Sequence, residues 1–219
     1  MNTHPTHRTY TSLDAAYDHF NRELFGGTLP ACLITMQRHK GAYGYFSGGR
    51  FASTDDPEEV TDEIALNPAH FASRPTAGTL STLVHEMAHL WQHHHGTPSR
   101  IGYHNKEWAA KMREIGLIPT ETGRPGGKET GQKVTHYVEE GGRFERACAA
   151  YLATGAAFLY HDRAGDGEAA VIRKKKAASK TKYTCPACGL NAWAKPAARL
   201  ACGDCREDME AEEPEEGGD

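Results

Sequence analysis

The stretch TLSTLVHEMAHLWQHHH, residues Thr79–His95, decides how the rest of the chain is interpreted. Its apolar residues recur at the i, i+3, i+4, i+7 spacing that is typical of an amphipathic helix. Within this helix His85, Glu86 and His89 form the pattern His-Glu-x-x-His. At about 100° per residue the two histidines share one face, roughly opposite the apolar residues, and Glu86 projects to the side. One face can therefore pack into a core while the other presents two imidazoles one turn apart.

Two imidazoles in this arrangement are the first two ligands that a catalytic zinc ion needs from a helix. Such an ion takes three protein ligands and keeps one position open for water or substrate. Glu86 lies beside the metal rather than on it, where a carboxylate serves as the general base of a metal-assisted hydrolysis. We therefore predict a catalytic zinc with His85 and His89 as ligands and Glu86 as the catalytic residue.

Histidines near the end of the same helix are weaker candidates for the third ligand. His95 follows His89 at the spacing of the metzincin pattern, but a glutamine stands where that pattern needs a glycine to end the helix. His93 lies two turns beyond His85, about 12 Å along the axis, which is too far for one ion to bind both. We expect residues 93–95 to form an exposed, polar end of the helix.

A better third ligand is His104, which stands fifteen residues after His89 at the start of the next predicted helix. The intervening loop contains glycine and proline and is long enough for the chain to reverse. Glu107 and Glu114, on that next helix, remain alternatives as carboxylate ligands. The side chains of Tyr103, His136 and Tyr137 are candidates for stabilising an oxyanion, although a core or surface role is favoured for each of them.

Nearly all of residues 10–155 resembles the SprT-like (Spartan-type) zinc metalloproteases. The resemblance rests on the His-Glu-x-x-His pattern, the third histidine about fifteen residues later and the aromatic Trp108 shortly after it. It also covers YDHFNRELFGGTLP, DEIALNP, GLIPTETGRPGGKETG and HYVEEGG, whereas Asn105 departs from it, because many relatives have glycine there. It implies a zincin-like peptidase that cuts protein substrates, with zinc on His85, His89 and His104 and with Glu86 as general base.

An α+β fold is predicted for residues 8–160, which would form the SprT-like metallopeptidase domain. A loose leader is expected over residues 1–10, and a turn at residues 47–49 should separate two of the strands. We expect the strands to form a small antiparallel sheet, and the Gly-rich stretch 120–131 to be a loop that borders a cleft. Besides the zinc helix, the patterns indicate helices at about 12–24, 105–115 and 143–153, and strands near 33–36, 43–46, 50–53 and 63–66.

Four of the six cysteines form two Cys-x-x-Cys pairs separated by thirteen residues. Two thiolate pairs at this spacing are typical of a zinc ribbon, in which the metal has no open position for chemistry. A module this small has almost no apolar core, so zinc binding should supply most of its folding free energy. We therefore predict a structural zinc ribbon over residues 183–205, with the ligands Cys185, Cys188, Cys202 and Cys205.

The C-terminal part of the chain is divided by charge. Residues 171–205 hold eight basic residues and one acid, whereas residues 206–219 hold eight acids and one base. We expect a basic linker over residues 161–182 and an acidic, disordered tail over residues 206–219. Cations beside an aromatic suit single-stranded nucleic acid, which gives candidate contacts at Arg173, Lys174, Lys175, Lys176 and Trp193. The alternative is a merely solvated linker, with Trp193 packed on the surface of the ribbon itself.

No run approaches the ~18 apolar residues that cross a membrane, and the N-terminus lacks the apolar region of a signal peptide. We expect a cytoplasmic protein, associated with the nucleoid if it binds DNA. Because SprT-like proteins are often linked to DNA, the resemblance implies substrates that are bound or crosslinked to DNA. The competing hypothesis is a nucleic-acid-binding or regulatory adaptor with a non-catalytic zinc site, although a ligand-only site would not need Glu86.

Overall fold

The computed structural model describes residues 4–158, 160–163 and 180–212, and the chain divides into two units, residues 1–162 and 163–219. The described part of the first unit is a mixed α and β fold, as predicted. Its helices are α1 (Pro5–Phe25), α2 (Thr76–His95), α3 (Lys106–Glu114) and α4 (Arg143–Leu152), and a short 3-10 helix spans Pro68–His70. Its strands are β1 (Leu33–Met36), β2 (Gly44–Ala52), β3 (Val60–Leu66), β4 (Leu117–Thr120) and β5 (Thr135–Val138).

Helix α2 runs through the core of this unit. Its apolar side chains are buried in one cluster with residues of α1, α3, α4 and the sheet. Leu83, Val84 and Met87 are 0% exposed, and burying each such side chain stabilises the fold by roughly 1.5–3 kcal/mol. The apolar side chains at the predicted spacing therefore hold α2 in place along its length. The histidines on its other face are carried by this firmly packed helix.

The three-stranded sheet has the order β1-β3-β2. β3 pairs antiparallel with β2, with Ala65 opposite Tyr45, but parallel with β1, with Ile64 opposite Ile34. The prediction of an antiparallel sheet is therefore wrong for the β1–β3 pair. Alternating apolar residues determine the faces of a strand, whereas its neighbours and their direction depend on where the connecting loops carry the chain.

Strand β2 continues through Ser47, Gly48 and Gly49, where a turn was predicted. The pairing register with β3 shifts between Ser47 and Phe51, and Gly49 has a φ of 55°. The two glycines therefore form a bulge inside one long strand rather than a turn between two. The bulge is held by a hydrogen bond from the Gly49 N–H to Asp62 Oδ1 on β3, at 2.7 Å.

Helix α1 begins at Pro5, so the prediction of a loose leader through residue 10 is wrong for residues 5–10. Proline is favourable in the first turn of a helix because it has no N–H to leave unpaired there. Thr9, which lies within this extension, is buried, and its hydroxyl donates to the Pro5 carbonyl at 2.8 Å. At the other end Gly26 closes the helix in a left-handed conformation with a φ of 65°.

The hairpin of β4 and β5 was not predicted from the sequence. Its two strands are four residues each and lie fourteen residues apart, and β4 contains Pro119, which is unusual in a strand. Pro119 is paired with His136. The pairing brings His136 to the side of the unit where α2 presents its histidines.

The described part of the second unit contains a sheet of order β7-β6-β8. These strands are β6 (Thr181–Thr184), β7 (Asn191–Ala194) and β8 (Glu210–Ala211). The two cysteine pairs lie in the turns that follow β6 and precede β8.

The second unit extends beyond the predicted ribbon end at Cys205. The Glu212 N–H donates to the Lys182 carbonyl at 2.8 Å, and the side chains of the two residues form an ion pair at 3.2 Å. The prediction of a disordered tail is therefore wrong for residues 206–212, because strand pairing and opposite charge fold them onto β6. Residues 213–219 of the tail and residues 164–179 of the predicted linker lie outside the described part of the chain.

Candidate metal centre

Three histidines meet at one point on the surface of α2. His85, His89 and His104 each offer one ring nitrogen, and these nitrogens all lie within 4.8 Å of one another. The Nε2 atoms of His89 and His104 are 3.2 Å apart. In a tetrahedral zinc site with Zn–N bonds of 2.0–2.1 Å, two nitrogens are separated by about 3.3 Å. The donors and their spacing therefore fit a zinc ion.

The start of helix α3 positions the third histidine. Asn105 is the N-cap of α3, and its Oδ1 accepts a hydrogen bond from the Trp108 N–H at 3.0 Å. The same oxygen accepts from Gln92 Nε2 of helix α2 at 2.8 Å. Asn105 has a φ of −90°, so this position does not require a glycine. The asparagine instead connects the two helices beside His104.

The last residue of the Gly-rich stretch 120–131 also holds His104. The His104 N–H donates to the Gly131 carbonyl at 2.8 Å, and the Gly131 N–H donates back at 3.0 Å. His104 Nδ1 is 3.1 Å from the same Gly131 oxygen, so it carries the proton in this contact. Nε2 is then left without a proton, which is the tautomer that a metal ligand needs.

His136 contacts the first histidine from the β4–β5 hairpin. The Nδ1 atoms of His85 and His136 are 3.0 Å apart, so Nε2 is the nitrogen of His85 that this contact leaves available to a metal. Burial, with a smaller effect of Arg74, lowers the pKa of His136 to about 4, so it is neutral and has one nitrogen that can accept. Sequence reasoning considered His136 only for an oxyanion; the structure puts it in contact with a candidate ligand.

Trp108 packs against all three imidazoles. Its ring lies 4.9 Å from that of His85, 5.0 Å from that of His89 and 4.3 Å from that of His104, measured between centroids. The side chain is fully buried, and its Nε1 has no hydrogen-bond partner among the described residues. The aromatic residue that follows the third histidine thus forms the apolar wall of the centre.

Burial keeps the three imidazoles neutral. It lowers the pKa of His85 far below its usual range and that of His89 to about 3, and it lowers the pKa of His104 as well. The neighbouring rings add to this effect at His85 and His89, because each positive charge would repel the others. Neutral imidazole is the form that binds metals.

Glu86 is buried beside the first histidine, with 6% of its surface exposed. Burial raises the pKa of its carboxyl to about 8. The start of β2 passes directly over it: a Cβ added at Gly44 would lie 3.4 Å from Glu86 Cγ and 2.8 Å from the Ala65 carbonyl. A carboxyl with such a pKa can take up and release a proton near neutral pH.

The other candidates for the third ligand are engaged elsewhere. Glu107 Oε2 accepts from Gln92 Nε2 at 2.6 Å, and Glu114 pairs with Lys111 at 2.7 Å. His95 Nε2 is 3.2 Å from a backbone carbonyl in the loop after α1. The cluster of three ring nitrogens includes none of these groups.

The four cysteines of the second unit also converge. The sulfur atoms all lie within 4.8 Å of one another in the set Cys185, Cys188, Cys202 and Cys205. The Sγ atoms of Cys188 and Cys202 are 3.7 Å apart. Four thiolates around one zinc at 2.3 Å have sulfurs separated by about 3.8 Å. Hydrogen bonds from backbone N–H groups lower the pKa of Cys185 to about 7, which favours the thiolate that binds metal.

Of the predicted nucleic-acid contacts, Trp193 lies on β7 with 62% of its surface exposed. Lys180 and Lys195 line a shallow groove on the same unit together with Ala194 and Pro196. The cluster Arg173, Lys174, Lys175 and Lys176 lies outside the described residues. Within the described part of the chain, no helix combines the length and the apolar character needed to span a membrane.

The chain has relatives among known proteins. A family model described as the SprT-like family matches residues 13–134. Over 60 residues the chain is 52% identical to "Uncharacterized protein in mucB 3'region" of Salmonella typhimurium. The matched residues are 27% of this chain and 80% of that protein. The family match includes His85, Glu86, His89 and His104 and ends before His136.

Proposed function

Because the chain belongs to the SprT-like family, we propose that it is a zinc-dependent endopeptidase that hydrolyses peptide bonds of protein substrates. The observation that carries this proposal is the convergence of His85, His89 and His104 beside the buried carboxyl of Glu86. A helix with a purely structural role needs neither three adjacent imidazoles nor a buried acid next to them.

In the proposed mechanism zinc is held by His85, His89 and His104. When bound, zinc supplies Lewis acidity, which lowers the pKa of water to about 7 and polarises the peptide carbonyl. Glu86 accepts a proton from the attacking water and later donates it to the leaving amine as the peptide C–N bond breaks. The position of Glu86 supports this double role, since its carboxyl is buried one residue from His85 and beside the imidazole cluster.

The hydrogen bonds around the imidazoles support a pre-organised centre. The Gly131 carbonyl selects the tautomer of His104, and His136 lies within hydrogen-bonding distance of His85. Such partners orient a ligand and raise its affinity for the metal. Trp108, packed under all three rings, limits the positions that the imidazoles can adopt.

For the second unit we propose a structural zinc ribbon that binds single-stranded nucleic acid. Four thiolates leave no open position on the metal, so this site would hold the fold rather than catalyse. The exposed Trp193 and the cations of Lys180 and Lys195 support the binding role. The substrates would then be proteins that are bound or crosslinked to DNA, selected by co-localisation, which would give the protein a role in DNA repair.

The decisive test is the variant Glu86→Gln, assayed on a denatured protein substrate with and without single-stranded DNA. We expect cleavage to disappear while the zinc content, measured by elemental analysis, stays at the wild-type value. Glu114→Gln is the matched control, because Glu114 is exposed and pairs only with neighbouring cations. Undiminished cleavage by Glu86→Gln would overturn the mechanism; a wild-type protein that cleaves nothing but binds DNA would favour the adaptor.

A further inference from the structure

A second cluster of metal-binding side chains lies on the same helix, beyond the first. Asp62, His93 and His94 each offer one donor atom, and these atoms lie within 4.8 Å of one another. His94 Nε2 is 2.6 Å from Asp62 Oδ2, and His93 Nε2 is 3.9 Å from Asp62 Oδ1. The carboxylate comes from β3 and the imidazoles from the last turn of α2.

This cluster is distinct from the three-histidine centre. His93 follows His85 by eight residues, which is about 12 Å along the helix axis. A single ion with bonds of about 2 Å cannot reach both positions. The two groups of donors share no residue.

The carboxylate of this cluster is held in place by a hydrogen bond from the backbone. Asp62 is 6% exposed, and its Oδ1 accepts the Gly49 N–H of the β2 bulge at 2.7 Å. This bond fixes the orientation of the carboxylate and leaves Oδ2 directed to His94. A ligand whose second oxygen is hydrogen-bonded to the backbone is the usual arrangement in metal sites.

The bulge also leaves room for the first imidazole. The ring of His93 packs against Phe46 at 5.6 Å between centroids and lies over Gly48. A Cβ added at Gly48 would come within 2.7 Å of His93 Cε1 and 2.9 Å of His93 Nε2. A side chain at this position would therefore displace the ring from the cluster.

The environment favours a cation and allows it to enter. The imidazoles belong to the last turn of α2, where the partial negative charge of the helix dipole attracts positive charge. The side chains of His93 and His94 are 44% and 37% exposed, so the donors are open to solvent. Water can then complete the coordination of an ion bound by the three side chains.

We propose that Asp62, His93 and His94 form a further metal site, which binds a divalent transition-metal ion such as Zn²⁺. Two imidazoles and one carboxylate suit zinc, nickel or cobalt, whereas calcium and magnesium prefer oxygen ligands alone. The ion connects the end of α2 to β3 and, through Asp62, to the β2 bulge. It thereby stabilises the end of the helix that carries His85 and His89.

The first test counts bound ions in tag-free, full-length protein after dialysis against Zn²⁺. We expect the double variant His93→Gln/His94→Gln to bind one ion per chain fewer than the wild type. His95→Gln is the matched control: it removes the neighbouring histidine, whose Nε2 contacts a backbone carbonyl and which is not part of the cluster. Equal zinc content of wild type and double variant would overturn the proposal and leave a simple Asp62–His94 hydrogen bond.

A second test does not depend on that variant. In the folded wild type, Zn²⁺ added after the tighter sites are filled should shift the side-chain nitrogen resonances of His93 and His94 but leave those of His95 unchanged. Asp62→Asn keeps an acceptor for the Gly49 N–H but loses the charge, so the increase in Tm caused by this zinc should disappear. If the resonances of His93 and His94 do not shift when Zn²⁺ is added, the proposed site does not exist.

Discussion

Glu86 should reduce the stability of the metal-free protein at neutral and alkaline pH, and Glu86→Gln should restore that stability. Burial raises the pKa of this carboxyl from 4.5 to about 8. Between these two values the folded state keeps a proton that the unfolded state has lost. The free energy of unfolding therefore falls as the pH rises from about 4.5 to about 8. Glutamine has a similar shape but cannot ionise, so it avoids this penalty.

The size of the effect follows from the two pKa values. The difference between 4.5 and about 8 corresponds to roughly 5 kcal/mol of unfolding free energy above the higher value. At pH 7 the folded carboxyl is still mostly protonated, and the expected loss is about 3 kcal/mol. Below about pH 4.5 both states are protonated, and the advantage of glutamine should vanish.

The assay is urea unfolding of chelator-treated wild type and Glu86→Gln across this pH range. Because both proteins lack zinc, the absence of the metal affects their stability equally. The difference between their free energies of unfolding therefore reports the effect of Glu86 alone. Glu114→Gln, which replaces an exposed acid, should follow the wild type at every pH. If Glu86→Gln is no more stable than the wild type at alkaline pH, the carboxyl is not desolvated and the reasoning fails.

Three further predictions concern the ligand partner, the ribbon and the exposed tryptophan. His136→Ala should weaken zinc binding at the three-histidine centre by about 10–100-fold, because His85 loses the partner that orients it; competition with a chelator measures this. Cys188→Ser should remove one zinc and unfold the ribbon while cleavage of a DNA-independent substrate persists, as elemental analysis and NMR spectra of the variant will show. Trp193→Ala should lower affinity for single-stranded DNA by roughly 10–100-fold, and wild-type affinity should fall steeply with salt in mobility-shift assays.

The sequence was most informative where the chemistry is local. Helix α2 and its pair of histidines could be predicted because the apolar period and the two histidines lie within a few turns of one another. The predicted third ligand depended on the fold as well, and His104 was chosen from its position beyond the loop after His89, with support from the resemblance to a family. Its actual supports, Gly131 and the N-cap Asn105, were not predicted, because hydrogen-bond partners across a loop leave no periodic signal.

Features that depend on long-range pairing could not be predicted from the sequence. The parallel β1–β3 pair, the bulge in β2 and the β4–β5 hairpin all result from how distant segments meet. The cluster of Asp62 with His93 and His94 belongs to the same class. Residues 93–95 were predicted as an exposed helix end, and exposed they are, but β3 brings a carboxylate from about thirty residues away.

The position of Trp108 gives the protein an internal optical reporter. The chain has three tryptophans, and this one is fully buried with its ring against all three imidazoles. Paramagnetic cobalt or copper bound by these rings would quench its emission, whereas the exposed Trp193 emits at longer wavelength. Occupancy of the centre can therefore be followed by intrinsic fluorescence, without a label.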